Sequence, residues 1–109
     1  MKILLSFLII SSSSIFSSAT FAASGDATTG RKKAQSCVVC HGTMGLSNNP
    51  GTPHLAGQPA IYLVEQLQNF KSGKRQNPVM SVIAKPLSQS DIQDMAAWYA
   101  SIEIQLKSQ

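Results

Sequence analysis

The stretch SCVVCHG, residues 36 to 42, contains both cysteines of the chain and one of its two histidines. Two thiols three residues apart, followed at once by an imidazole, are typical of three chemistries: a redox disulfide, a zinc site or covalent attachment of haem. A structural zinc site needs four ligands, and only His41 and His54 remain to join the cysteines. A thioredoxin-like CxxC lies in a βαβ context, and the sequence shows no strand-like alternation.

The pattern Cys-x-x-Cys-His favours the third chemistry, attachment of a c-type haem. Cys37 and Cys40 lie one helical turn apart, so they can form thioethers with two vinyl groups of one porphyrin. His41 can then bind the iron from the proximal face. A disulfide between these cysteines would close too short a loop to stabilise the chain appreciably. We therefore predict one covalently bound haem c, with Cys37, Cys40 and His41 as its attachment residues.

The first residues have the pattern of a secretory signal peptide. Lys2 supplies a positive charge, and residues 3–10 are apolar but too few to span a bilayer. Small residues up to Ala22 occupy the positions that a signal peptidase recognises. We predict a cleaved signal peptide over 1–22, with cleavage after Ala23 as the alternative, and a single domain over 23–109. The protein is then exported to a bacterial periplasm, and the mature chain does not span a membrane.

The mature chain of about 87 residues is near the size at which a hydrophobic core alone gives little stability. Such chains usually carry a disulfide, a metal or a large cofactor. After loss of Lys2, eight Lys and Arg face five Asp and Glu, a net charge too small to indicate nucleic-acid binding. No residue pair indicates a catalytic acid, base or nucleophile, so we do not expect an enzyme.

Hydrophobic periodicity predicts three helices. The first runs from Asp26 or Ala27 to Ser36, the second covers 59–73, and the third covers 87–105 with Ser88 and Asp91 resembling a capping box. The irregular stretches 42–58 and 72–87 separate them, with room for one helical turn in 81–85. Loops of this length in a small domain usually surround something, which is a second indication of a cofactor.

The residue on the other face of the iron decides between electron transfer and ligand binding. Met44 lies too close to His41 in sequence to reach that face, and Met95 belongs to the apolar stripe of the third helix. A lone loop histidine such as His54 is more often a surface residue. Met80 stands in a Pro-containing loop far enough away to fold over the other face, so we predict a His/Met pair.

With these residues placed, the chain resembles the class I c-type cytochromes, especially the bacterial branch of dihaem cytochrome c-four and its single-haem relatives. The matching stretches cover most of residues 25–101: GDATTG, CVVCHG, NPGTPHLAGQ, YLVEQLQNFKSGKR, the pattern MxxxAxxLS from Met80 to Ser88, and DIQDMAAWYAS.

The resemblance implies an all-α class I cytochrome c fold of three to four helices, with long loops around one covalently attached haem. The first and last helices would cross near Gly30 and Trp98, and the Pro53 carbonyl would accept a hydrogen bond from His41. Met80 matches the family's distal ligand. Dihaem members carry two such domains and this chain has the residues of one, so a single haem is implied.

These features predict a periplasmic one-electron carrier with redox proteins as transient partners. Partners would dock at the exposed haem edge beside the cysteines, with Arg31–Lys33 and Lys71–Arg75 as rim charges. Two alternatives stay open: a haem subunit held permanently in a larger oxidoreductase, and a ligand-binding haem protein with a displaceable Met80.

Overall fold

The computed structural model describes residues 25–106, and they contain helices and loops but no strand. The five helices are α1 (Ala27–Lys33), α2 (Gln35–His41), α3 (Ala60–Ser72), α4 (Met80–Ala84) and α5 (Gln89–Ala100). The all-α class is therefore confirmed. The predicted signal peptide, with both cleavage positions, lies outside the described residues.

The first predicted helix is in fact two helices, which raises the number from the three or four expected to five. Asp26 caps α1 as predicted, but the chain bends at Ala34, where φ is −74° and ψ is 3°. Ala34 is only 1% exposed and belongs to the core formed with Leu63 and Met95, so its burial fixes the bend. Because of the bend, α2 (residues 35–41) runs in a different direction from α1.

The second and third predicted helices are present as α3 and α5. Gly73, at φ 82°, ends α3, and Ser88 and Asp91 form the capping box that starts α5. The prediction that α5 continues to Gln105 is wrong, because the helix ends at Ala100. The Tyr99 carbonyl near its end accepts a hydrogen bond from the Gly57 N–H at 2.9 Å, so the chain leaves the helical path there. The turn expected in 81–85 is α4.

Helices α1 and α5 cross in close contact at Gly30. A Cβ atom at Gly30 would lie only 1.9 Å from the Asp94 carbonyl oxygen, so any side chain there would force the two backbones apart. The crossing of these helices predicted from the family resemblance is present at Gly30, but the part of α5 nearest to Gly30 is Asp94, about one turn before the expected Trp98 and Tyr99. Helix α3 packs against the other side of α5 and against α4, and the core residues Leu63, Met95, Ala96 and Tyr99 lie between α3, α5 and the bend.

An ion-pair cluster joins α1 to α5 beside this crossing. Lys33 Nζ lies 2.8 Å from both Asp91 Oδ1 and Asp94 Oδ2, and the Asp26 N–H donates to Asp94 Oδ1 at 2.8 Å. Hydrogen bonding from Lys33 lowers the pKa of Asp91 and of Asp94 below their ordinary value. The same contacts raise the pKa of Lys33. The cluster therefore holds both ends of α1 against one helix.

Within residues 25–106, every helix falls short of the length and apolar character that a bilayer crossing requires.

Removing the lysine of this cluster should destabilise the protein in a pH-dependent way. Because folding lowers the pKa of Asp91 and Asp94, their stabilising contribution is complete well above their ordinary pKa near 3.8 and is lost as pH falls through the folded pKa. Lys33→Met should therefore lower the free energy of unfolding at about pH 7, and the gap to wild type should shrink as the carboxylates protonate in acid.

Urea unfolding of the holoprotein at several pH values measures this gap. Lys32→Met removes the same charge from an exposed neighbouring position and serves as the matched control. A gap that stays constant down to strong acid, or equals that of the control, would show that the cluster does not contribute as described.

Candidate functional site

A cavity of about 540 Å³ lies between the helices and the two long loops. All five residues that the sequence selects as site residues line it, namely Cys37, Cys40, His41, Pro53 and Met80. They come from α2, from the loop after it and from the start of α4. The fold therefore brings residues separated by up to 43 positions to one cavity.

His41 is the last residue of α2 and is only 6% exposed. Its Nδ1 lies 2.8 Å from the Pro53 carbonyl oxygen. A carbonyl can only accept a hydrogen bond, so Nδ1 carries the proton, and the neutral ring then has its lone pair on Nε2. A neutral imidazole held in this tautomer and orientation is suited to bind a metal through Nε2.

The chain turns away from α2 immediately after His41 because of Gly42. Its φ of 83° and ψ of 156° are available almost only to glycine. A Cβ atom there would lie 2.2 Å from the Leu46 carbonyl oxygen, so the turn also needs the missing side chain. Through this turn the loop folds back and brings Pro53 to His41.

The loop between Gly42 and Pro59 contains a polar contact that the sequence did not reveal. Ser47 is buried, its hydroxyl donates to the Cys40 carbonyl at 2.9 Å, and its N–H donates to His54 Nδ1 at 2.9 Å. His54 is expected from the sequence to be a surface residue, and its side chain is exposed in the structure. A serine in a polar loop carries no sequence signal for this role, since its partners are fixed only by the folded loop.

Met80 begins α4 and is partly buried. Asn77 Oδ1 accepts hydrogen bonds from the N–H groups of Val79 and Met80, each at 2.9 Å, so the asparagine fixes the backbone at this position. Of the other candidates, Met44 is 45% exposed and lies away from the cavity, whereas Met95 is 3% exposed and also lines it. His54 lines the cavity with its Nδ1 already engaged.

The structure does not favour the two other chemistries of the CxxCH stretch. In the part of the chain from 25 to 106, no three His, Cys, Asp or Glu residues cluster closely enough to hold a metal ion. Burial raises the pKa of the Cys37 thiol, whereas a redox-active CxxC needs a lowered pKa. Neither Cys37 nor Cys40 is in a disulfide, and both line the cavity.

The residues present fit a large, mainly apolar cofactor such as haem. The cavity volume is in the range of cofactor sites, and the cavity wall includes apolar side chains of α3 and α5, such as Leu63, Leu67 and Met95. Tyr99 also lines it, and the buried Tyr99 hydroxyl lies beside the Cys37 thiol but makes no hydrogen bond of ordinary geometry within residues 25–106. Burial raises the pKa of Tyr99, so this hydroxyl stays a neutral donor that a bound group can satisfy.

Several of the basic residues expected to rim the site make contacts within the chain. Lys33 pairs with two aspartates, as described above, and Lys71 Nζ donates to the Leu87 carbonyl. The Arg31 guanidinium lies 5.3 Å from the centre of the Trp98 ring, and that of Arg75 lies 4.6 Å from the Phe70 ring. These charges are held on the surface in defined positions, although Lys33 is largely neutralised.

The chain is similar to one protein family and to several known proteins. Residues 27–103 match the family model described as cytochrome c. A thiosulfate dehydrogenase electron acceptor from Thiomonas intermedia is 44% identical over 72 residues, covering 65% of this chain and 33% of that protein. Cytochrome c-554(548) from Halomonas halodenitrificans is 42% identical over 82 residues, covering 72% of this chain and 99% of that protein.

The crystal structure of reduced recombinant cytochrome c4 from Pseudomonas stutzeri superposes with a TM-score of 0.70 at 38% identity. The match covers 73% of this chain and 47% of that chain. The chain thus spans about a third of the Thiomonas protein and about half of the cytochrome c4 chain, but nearly all of the Halomonas cytochrome.

The role of Gly42 in the turn after His41 can be tested by substitution. Gly42→Ala should lower the free energy of unfolding by about 1–3 kcal/mol from the backbone conformation, with a further cost from the contact with the Leu46 carbonyl. Urea unfolding followed by circular dichroism measures the loss.

Gly51→Ala is the matched control in the same loop, because the nearest atom to a Cβ there is Asn49 Oδ1 at an ordinary 3.6 Å. It should change the unfolding free energy by less than about 0.5 kcal/mol. Equal effects of the two substitutions would contradict the role assigned to the turn.

Proposed function

This chain belongs to the cytochrome c family, and from that membership we propose that it is a periplasmic one-electron carrier with His41 and Met80 as the two axial ligands of one haem iron. A cytochrome c domain implies a covalently bound haem c. The chemistry that this group supplies when bound is a one-electron change of its iron between Fe(III) and Fe(II).

Cys37 and Cys40 are assigned to the two thioether bonds. They lie one turn apart on α2 and both face the cavity, and neither is engaged in a disulfide. Attachment at these positions would join the cofactor to the same helix that presents His41. In a domain of this size, covalent attachment also provides the stabilisation that a small core lacks.

The observation that carries the proposal is that His41 and Met80 line one cavity from two separate elements. His41 is oriented by Pro53 and keeps Nε2 available, while Asn77 fixes the backbone of Met80. Ligands from both α2 and α4 would leave no open coordination position for a substrate. A thioether ligand also stabilises ferrous iron, so this pair favours a higher reduction potential than two histidines would.

We further propose that the chain is exported to the periplasm and that redox partners dock at the haem edge. The pattern of residues 1–22 supports secretion to the periplasm, where c-type cytochromes can meet soluble and membrane-bound redox enzymes. Next to the exposed Cys40, Val39 is 87% exposed and Leu46 is 47% exposed. An apolar centre of this kind fits a transient partner that contacts the haem edge, and the exposed Lys32 and Lys74 of the two basic segments supply positive charges that can steer an acidic partner.

A second candidate is a haem subunit bound to a catalytic partner. It is favoured by the similarity to a protein named as the electron acceptor of thiosulfate dehydrogenase. The same site would serve both roles, because electron transfer needs the same ligands in either case. Size-exclusion chromatography of the native protein distinguishes a free carrier from a chain that stays with an enzyme.

Optical spectroscopy of the holoprotein tests the ligand assignment. Wild type should be low-spin in the ferric state, with the weak far-red band of methionine-bound iron and little response to azide. Met80→Ala should lose this band, bind azide and show a lower reduction potential, because the thioether that favours ferrous iron is gone.

Met95→Leu is the informative control, since Met95 also lines the cavity but is assigned to the core. It should keep the far-red band. Loss of the band in Met95→Leu with retention in Met80→Ala would reverse the assignment, and a high-spin wild type would favour the ligand-binding alternative.

A further inference from the structure

We propose that Ser47 and His54 form a positioning pair that holds the Pro53 carbonyl against His41 and so sets the reduction potential of the site. This inference rests on the proposed function, because it gives these two residues a role in tuning His41 as an iron ligand. Neither residue needs to touch the cofactor for this role.

Ser47 lies at the centre of the contacts that shape the loop. It is 8% exposed, its hydroxyl donates to the Cys40 carbonyl at 2.9 Å, and it accepts a hydrogen bond from the Asn49 N–H at 3.0 Å. The Ser47 hydroxyl also lies 3.3 Å from the Asn49 carbonyl, a weaker contact than that to Cys40. One buried hydroxyl therefore ties the loop to the carbonyl of the residue just before His41.

His54 completes the connection from the other side of the loop. Its Nδ1 accepts a hydrogen bond from the Ser47 N–H at 2.9 Å, so the ring is bonded to the same residue that contacts Cys40. Accepting at Nδ1 requires the proton on Nε2, and a ring in this state has no lone pair left for iron. His54 is thus engaged as a hydrogen-bond acceptor, which explains why it lines the cavity without being needed as a ligand.

The hydrogen bonds from Ser47 to Cys40 and to His54 link the residues on both sides of the contact between His41 and Pro53. Cys40 precedes His41, Pro53 precedes His54, and Ser47 bonds to both Cys40 and His54. Proline has no N–H, and Pro53 is exposed, so its own backbone donates nothing that could fix its carbonyl. The 2.8 Å bond from His41 to that carbonyl therefore depends on its neighbours in the loop. The Thr52 N–H donates to the Asn49 carbonyl and the Leu55 N–H to the Gly45 carbonyl, and the bond to His54 is the side-chain contact of this segment nearest to Pro53.

The consequence for electron transfer follows from the hydrogen bond to His41. A carbonyl that accepts the Nδ1 proton makes the imidazole a more basic ligand. A more basic ligand stabilises Fe(III) relative to Fe(II) and lowers the reduction potential. Loosening Pro53 should weaken this effect, so loss of the Ser47–His54 contact should raise the potential while the iron keeps both ligands.

Substitutions at His54 separate the hydrogen bond from the rest of the side chain. His54→Ala removes the acceptor, whereas His54→Asn places an amide oxygen near the position of Nδ1 and should restore the bond. Asn48→Ala changes an exposed neighbouring residue and is the matched control. Ser47→Ala keeps the backbone N–H to His54 but removes the link to Cys40, so it should give a shift in the same direction.

Two readouts on the holoproteins test the pair: the midpoint potential, and the exchange rate of the His41 Nδ1 proton by NMR in the ferrous state. His54→Ala should raise the potential and speed the exchange, and His54→Asn should return both close to wild type. An unchanged potential and exchange rate in His54→Ala, or an equal shift in His54→Asn, would overturn the inference.

The outcomes also separate this inference from the proposed function. If wild type lacks the methionine band but His54→Ala still shifts the potential, the ligand assignment fails and the positioning pair stands. If the band is present and no shift occurs, the pair fails alone. Should His54→Ala acquire no haem, normal behaviour of His54→Asn supports the pair, and failure of both variants contradicts it.

Discussion

The hydrogen bond between His41 Nδ1 and the Pro53 carbonyl is the contact on which the arrangement of the site depends. It fixes the tautomer of a buried imidazole and its orientation at the end of α2, and it joins that helix to the loop that closes the cavity. Several other residues of the loop support this hydrogen bond. Gly42 makes the turn that returns the loop, and Ser47 and His54 hold the loop in place once it has returned.

The rest of the fold holds the two proposed ligands, which lie on different helices, at one cavity. Helices α1 and α5 are held together by the close approach at Gly30 and by the Lys33 cluster, and α3 packs on the other side of α5. Helix α4, which carries Met80, packs on α3. A carrier needs little movement of its ligands between oxidation states. In the proposed site, His41 is held at a helix end and Met80 at the start of a short helix whose backbone is fixed by Asn77.

Much of this arrangement could be predicted from the sequence because local patterns determine it. Periodicity and caps located α3 and α5, and the spacing within CVVCH with the family motifs indicated the cofactor and its attachment residues. The bend at Ala34 and the early end of α5 could not be predicted, because burial of Ala34 and the bond from Gly57 to the Tyr99 carbonyl are tertiary contacts. The contact between Ser47 and His54 could not be predicted for the same reason, because it forms only when the loop folds.

Methyl NMR of the ferrous holoprotein shows whether the Met80 thioether binds the iron together with His41. With ¹³C-labelled methionine methyl groups, Met44, Met80 and Met95 each give a signal in a chain that has lost Met1 with the proposed signal peptide, and the methyl group of a methionine whose sulfur binds the iron is strongly shifted by the ring current of the porphyrin. If Met80 is the ligand, wild type gives one strongly shifted signal, and this signal disappears in Met80→Leu. A shifted signal that belongs to Met95, or the absence of any shifted signal in wild type, would contradict this assignment.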